Sequence, residues 1–180
     1  AFFGSEIIRQ RLGYINKLSM YTDEIYSGLS NEREKLEIAY TQQAIIAGDC
    51  KQELYENLKA QLYASRKNDL ITGSTSVGPH RDDLSIKIDR LPARNYGSQG
   101  QQRSAALSLK LGEAAVIKSF SDQQPVALLD DVMSELDEKR QDYVLNHIND
   151  RQVFLTCCDP SQVLRLCGGK SFLIKDGEII

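Results

Sequence analysis

Two short apolar runs constrain this 180-residue chain more than anything else in it. They are PVALLDDV, from Pro125, and QVFLTCC, from Gln152, with a helical stretch over 134–149 between them. Uninterrupted apolar runs of this length read as strands buried on both faces, and an intervening helix returns the chain so that the strands lie parallel. LSIKIDRL alternates Leu84, Ile86 and Ile88 against Ser85, Lys87 and Asp89, which predicts a half-buried strand. DPSQVLRLCGG predicts a short helix with a glycine stop, and KSFLIKDGEII a two-strand hairpin turning at Asp176 and Gly177. The class implied is α/β, a parallel sheet covered by helices on both faces.

The first third has a different texture. Ile8, Leu12, Ile15, Leu18 and Ile25 recur at helical spacing over residues 5–26. GLSNERE breaks that pattern, and Leu36, Ile38 and Tyr40 alternate as in a short strand. Asp49 is placed to cap a second helix carrying Leu54, Leu58 and Leu62. We therefore expect a helical lobe over 1–68 and the α/β part over 69–180. That lobe reads first as a plain helical subdomain, and otherwise as an arm that holds DNA or a partner.

A net charge of −3 gives no general attraction to nucleic acid or to an acidic membrane. A polyanion contact must then be local. Between Arg81 and Lys118 there are seven basic and four acidic residues, a charge of +3, with Arg81, Arg94 and Arg103 as candidate DNA-phosphate contacts. A solvated surface gives the same count. No run approaches the roughly 20 apolar residues of a membrane span, and the start, AFFGSEIIRQRLG, has no basic n-region of a signal peptide. Cys50, Cys157, Cys158 and Cys167 form no CxxC pair and read as small buried hydrophobes in a reducing cytosol.

The chemistry concentrates in two places. YGSQGQQRSAALSLKLGEA, from Tyr96, runs a glycine turn into a helix over Ser98–Phe120, with Leu107, Leu111, Ala114 and Ile117 expected on its buried face. A surface helix needs one cap. Gly97 and Ser98 supply the turn and the cap, but that leaves Gln99, Gly100, Gln101, Gln102, Arg103 and Ser104 unexplained. A helix N-terminus offers unpaired N–H groups and the positive end of the dipole, and so suits an anion. Downstream, Asp130 and Asp131 sit at the C-terminal end of an apolar strand, where open α/β sheets place their ligands. A hydrated Mg²⁺ would account for Asp130, and a water aimed at a phosphate for Asp131. The plain alternative has Asp131 capping the next turn and Asp130 solvated.

GSQGQ followed by Arg103 and Ser104, then LLDD some 25 residues on, then SELD, resemble the signature motif, Walker B strand and D-loop of ABC-type ATPase heads in that order. TGSTSVGPHRDDL, YGSQGQQRSAALSLKLGEA and LLDDVMSELD together resemble the RecF family, bacterial DNA replication and repair proteins related to structural-maintenance and Rad50-type heads. The resemblance covers 70–160 strongly and the first third weakly, as the family's inserted lobe. It implies the C-terminal lobe of an ABC-type ATPase head with an attached helical lobe.

By the same resemblance, Ser98, Gln99, Gly100 and Gln101 would face the γ-phosphate of ATP held by a second subunit. Gly100 would let the backbone approach closely, and Arg103 would be a surface charge, a DNA contact or a finger on the phosphate. Asp130 would bind Mg²⁺. Asp131 would be catalytic where relatives have Glu, and its shorter side chain suits slow hydrolysis, a switch rather than a motor. Asp137 would be the D-loop acid at the dimer seam. Relatives often carry a His after the next strand, where this chain has LTCCD; neither His80 nor His147 is there, leaving Thr156, Asp159 or a water.

The family resemblance further implies an ATP-dependent homodimer in the cytoplasm, associated with the nucleoid. It would bind double-stranded DNA near gaps and work with RecR and RecO to load the RecA recombinase in the SOS response. A transporter ATPase subunit shares these motifs, but its signature usually reads LSGGQ and GPHRDD has no place in it. Chromosome-organising heads carry hundreds of residues of heptads. No GxxxxGK[ST] loop occurs in the chain, which opens at Ala1 without an initiator Met. We accordingly expect a C-terminal portion of a longer, slow DNA-dependent ATPase, unable by itself to hold ATP tightly or to hydrolyse it.

Overall fold

A 29-residue helix, α1 (Phe2–Ser30), is the spine of the first part of the chain. Its stripe of Ile8, Ile15, Leu18, Ile25 and Leu29 is buried, with Tyr26 and Thr22 beside it. It stops at Asn31, whose φ of 56° is left-handed, and Glu32 N–H returns to Ser27 O at 2.8 Å. The computed structural model describes residues 1–42, 50–148, 150–159 and 169–180. These fall into two compact units, 1–123 and 124–180.

In the first unit, β1 (Leu36–Thr41), β2 (Asp83–Ile88) and β3 (Leu91–Pro92) form a sheet in that order. Both pairings are antiparallel, so LSIKIDRL is a strand, as expected, but in a separate antiparallel sheet. Asp89 and Arg90, at φ 48° and 70°, make a two-residue turn between β2 and β3, and such a turn can only bring the strand back antiparallel. Ile15, Tyr26, Leu36, Ile38, Ile88, Ala93 and Ala105 form one core cluster. Helix α2 (Lys51–Thr72) buries Leu54 and Leu58 against Ile8 in another, with Leu62 at its edge. Cys50 occupies its cap position without a side-chain bond, while Asp49, the expected cap, lies outside the described residues. Because α2 continues to Thr72, the sequence boundary at 68/69 falls inside a helix, and the division between the units comes at 123/124.

A short helix, α3 (Ala93–Tyr96), leads into α4 (Gln99–Ser121). The buried face of α4 is Ser104, Ala105, Leu107, Ser108, Leu111, Gly112 and Val116. Leu107 and Leu111 are where the periodicity placed them, but Ile117 is 47% exposed and Ala114 only half-buried. The reason is close packing on α1: a Cβ on Gly112 would stand 2.5 Å from Thr22 Oγ1. A face selected for small side chains carries no hydrophobicity signal.

In the second unit, β4 (Ala127–Asp130) leads through a 3-10 turn (Met133–Glu135) and α5 (Glu138–Ile148) to β5 (Val153–Thr156). The strands are parallel, as expected, in the register Ala127↔Val153 to Asp130↔Thr156. They are not covered on both faces within this unit, since Leu128 is 75% and Phe154 57% exposed. α5 buries Val144, Leu145 and Ile148. The hairpin β6 (Ile174–Lys175) and β7 (Glu178–Ile179) turns at Asp176 and Gly177, at φ 53° and 84°. The helix expected from DPSQVLRLCGG lies mostly outside the described residues, as does Cys167. The remaining cysteines are free and not buried: Cys50 and Cys158 are exposed and Cys157, just beyond β5, is half-exposed.

Candidate functional site

The first turn of α4 is built as a capping box. Ser98 Oγ accepts the Gln101 N–H at 3.2 Å, and Gln101 Oε1 accepts the Ser98 N–H at 2.8 Å. The amide end of Gln101 then donates to Glu34 Oε1 at 2.8 Å, and Glu34 Oε2 accepts the hydroxyl of the fully buried Tyr26 at 2.7 Å. Gln102 donates to Gly97 O at 2.9 Å. Two of the glutamines thus lock the turn to its own surroundings, and the polar cluster is partly a device for fixing where the helix begins. The turn remains solvent-facing at Ser98 and Gln99. The backbone N–H groups of Gln99 and Gly100 have no intrahelical partner by the geometry of a first turn, so an anion could meet them there.

The acids lie in the second unit. Asp130 ends β4 and Asp131 follows it with φ 50°, a left-handed backbone that a non-glycine residue adopts at a cost. Thr156, opposite Asp130 in register, donates its hydroxyl to Asp130 Oδ1 at 2.5 Å and accepts the Asp131 N–H at 3.0 Å. Asp131 O accepts the Ser134 hydroxyl at 2.9 Å. Among the described residues no group hydrogen-bonds the Asp131 carboxylate, so the plain reading of Asp131 as a side-chain cap is not met. Asp159 and the thiol of Cys157 follow Thr156; burial pushes that thiol up, and the charges of its neighbours, Asp131 included, add to the rise.

Asp137 caps α5. Its Oδ1 accepts the Arg140 N–H at 3.0 Å, and its Oδ2 stands 3.6 Å from the Arg140 guanidinium. The segment from Met133 to Leu136, ahead of α5, is held by Gln141, buried on α5, which donates to Met133 O at 2.7 Å and Leu136 O at 3.1 Å. Gln141 is a polar residue on the inner face of a helix. That polarity is its only sequence signal.

The three candidate arginines lie on three different segments. Arg81 precedes β2 and donates from Nε to Thr75 O at 3.1 Å. Arg94 lies in α3, which follows the antiparallel return of β3 along β2. Arg103 is in the second turn of α4, nearer to Arg94 in the chain. The loop around GPHRDD is internally braced. Asp69 accepts the Ser76 hydroxyl at 2.6 Å, the Ser76 N–H at 3.1 Å and the Ser65 hydroxyl at 3.0 Å, and these bonds hold its carboxyl below the usual range. Arg11 donates to Pro79 O at 2.5 Å, and Tyr40 bonds Asp82.

Among the described residues no three His, Cys, Asp or Glu side chains converge to cage a metal. The donor set fits a hydrated Mg²⁺ all the same, because that ion keeps several waters and needs one or two carboxylates. With Oδ1 turned to Thr156, Asp130 offers Oδ2 from an exposed strand end. His80 Nε2 lies 3.0 Å from Thr75 O in the first unit, and in the second His147 stacks on Tyr143 with ring centres 4.1 Å apart.

No family model matches the chain. Individual proteins do. It is 44% identical over 155 residues to the DNA replication and repair protein RecF of Clostridium acetobutylicum, 86% of this chain and 42% of that protein. It is 37% identical over 180 residues to RecF of Clostridium botulinum, 98% of this chain and 48% of that protein. A solved structure of the recombination mediator protein RecF-ATP in the RecFOR pathway matches 99% of the chain at 40% identity, with a TM-score of 0.84. The chain belongs to the RecF family. It spans about half the length of the curated RecF proteins it matches and 47% of the RecF-ATP chain. The same fold recurs in RecF-ATPrS at a TM-score of 0.83. RecF likeness at this level sets aside the transporter and chromosome-organising alternatives. Among the described residues no helix is long and apolar enough to cross a membrane.

Proposed function

We propose that this chain is the C-terminal portion of a RecF-type switch that dimerises on ATP, closes on double-stranded DNA near gaps, and with RecR and RecO promotes loading of RecA. The observation that carries the reading is the 40% identity over 99% of the chain to RecF-ATP. The capped, solvent-facing start of α4 and the paired acids after β4 support it.

In this reading the first turn of α4 docks on the γ-phosphate bound to a second subunit. Gln99 and Gly100 offer backbone N–H groups, and Ser98 sets how near the phosphate comes. Asp130 would hold Mg²⁺, which when bound neutralises charge between the β- and γ-phosphates. Asp131 takes a proton from the attacking water at its carboxylate, which the structure leaves without a competing hydrogen bond among the described residues. Asp137 fixes the start of α5 and so the D-loop at the dimer seam. Arg81, Arg94 and Arg103 carry the DNA contact. The chain has no Walker A loop, so the cradle of the α- and β-phosphates belongs to another part of the protein. The place of action is the cytoplasm, at the nucleoid.

Light scattering of the full-length protein with and without ATP, beside a duplex-DNA shift, tests this. A doubling of mass and a shift that both require ATP are expected. A protein that binds ATP yet stays monomeric and ignores duplex DNA overturns it.

A further inference from the structure

We propose that Thr156 is a positioning residue that sets both acids of the β4 edge at once, the proposal resting on the reading of Asp130 and Asp131 as metal-binding and catalytic. A hydroxyl has one proton to donate and two lone pairs to accept with. Thr156 gives its proton to Asp130 Oδ1 at 2.5 Å and takes the Asp131 N–H at 3.0 Å. The first bond fixes the rotation of the Asp130 carboxylate, and with it the direction of Oδ2. The second holds the peptide that enters Asp131, whose left-handed φ of 50° is unfavourable for a residue with a Cβ and needs such support. One side chain, placed by the β4–β5 register opposite Asp130, therefore makes the two acids move together.

A purely structural role explains this less well. Thr156, Asp130 and Asp131 are all exposed, so water could replace either bond with little loss to the fold. What water could not replace is the fixed angle between the two acids. Partners that orient a metal ligand in this way typically change metal affinity or activity by about 10–100-fold when removed.

The test uses the full-length protein with Thr156→Val, which keeps the shape and removes the hydroxyl, and Thr156→Ser, which keeps the hydroxyl and removes the methyl. Mn²⁺ binding to the ATP complex is read by electron paramagnetic resonance, and kcat is measured across a Mg²⁺ titration. For Thr156→Val we expect Mn²⁺ affinity and kcat each to fall about tenfold or more, with ATP affinity in EDTA within about twofold of wild type. Thr156→Ser should recover both to within about threefold. Val within about twofold of wild type in both readouts, or Ser as impaired as Val, overturns the proposal. Asp130→Asn separates the two layers. If it binds Mn²⁺ and turns over normally, the metal reading of the acids fails and Thr156 falls with it. If Asp130→Asn is impaired while Thr156→Val is normal, only the Thr156 proposal is lost.

Discussion

Gln101 and Glu34 are 67 positions apart in the chain, and their side chains meet at 2.8 Å. The contact ties the first turn of α4 to the segment between α1 and β1, and through Glu34 to the buried Tyr26 hydroxyl. Gln101 also completes the capping box. Its truncation should therefore remove two separate supports. We expect Gln101→Ala to lower stability by about 1–2 kcal/mol in urea melts, and a double-mutant cycle with Glu34→Ala to give a coupling of at least ~0.5 kcal/mol. Additive losses would mean that the Glu34 contact contributes nothing in solution.

Gly112 makes a sharper case, because two effects oppose each other. Alanine is worth about 1 kcal/mol over glycine in a helix interior. Here its Cβ would lie 2.5 Å from Thr22 Oγ1 and 3.3 Å from Leu18 Cδ1, and overpacking a filled interface costs about 1–3 kcal/mol. Thr22 is fully buried and cannot swing away, so the clash should win. Gly112→Ala is expected to destabilise the wild type but to be neutral or stabilising in a Thr22→Ala background. The same sign in both backgrounds would mean that α1 and α4 are not this close.

These two contacts also mark where the sequence stopped being readable. The start of α4, the paired acids after an apolar run and the Asp176-Gly177 hairpin each follow from a local rule, and each was legible. Gln101 reaching Glu34 was not, because nothing local distinguishes it from a solvated glutamine. The small-residue face of α4 was missed because Ser104, Ser108 and Gly112 are chosen for size, which hydrophobic periodicity ignores. The antiparallel return at Asp89 and Arg90 escaped for want of glycine, since ordinary residues occupy both left-handed positions. Thr156 was one of three options for a missing histidine. Only the register of β4 against β5 puts its hydroxyl on Asp130.

Acid should loosen the junction of α1 and α2 before it unfolds the rest. Glu6 bonds Arg9 at 2.6 Å, Lys51 at 3.1 Å and Gln10 at 3.1 Å. Arg9 first, then Lys51 and Gln10, hold its carboxyl down at about 2, against an ordinary value of 4.5. A carboxylate with a depressed folded pKa contributes stability that is complete above its unfolded pKa and is lost as pH falls through the folded one. The window is thus pH 4.5 down to about 2. Amide exchange at the N-terminal turns of α1 and α2 should rise across that window in wild type. In Glu6→Gln the rise specific to those turns should be absent, and a wild-type profile in the mutant would remove Glu6 from the explanation.

Asp130 and Asp131 should fail differently. In the full-length protein Asp131→Asn is expected to bind ATP normally and to slow hydrolysis by about 10²-fold or more, the usual worth of a positioned general base. The ATP-closed, DNA-bound state should then last longer. Asp130→Asn should instead weaken Mg²⁺-dependent binding. Filter binding of labelled ATP, set beside phosphate release, separates the two. Loss of nucleotide by the Asp131 variant and its retention by the Asp130 variant would reverse the assignment of the two acids.

Ser98 carries the most exposed claim, that the cap of α4 is also a docking point for a phosphate on another subunit. Ser98→Arg should leave ATP binding by each monomer intact, because the nucleotide's cradle lies elsewhere. It should abolish ATP-dependent dimerisation, since a long cation stands where the γ-phosphate must enter. The added positive charge favours an anion, but the backbone N–H groups of Gln99 and Gly100 already fix how close a phosphate must come, so the steric term should prevail. Arginine also cannot accept the Gln101 N–H, and loss of a cap costs about 1 kcal/mol by itself. Ser98→Ala isolates that loss: it removes the capping oxygen at 3.2 Å from Gln101 N without filling the space. The alanine protein should be about 1 kcal/mol less stable yet still dimerise and shift DNA with ATP, while the arginine protein does neither at any ATP concentration. If both variants dimerise alike by light scattering, Ser98 is a helix cap and nothing more. If both fail alike, the integrity of the turn rather than the space in front of it decides docking.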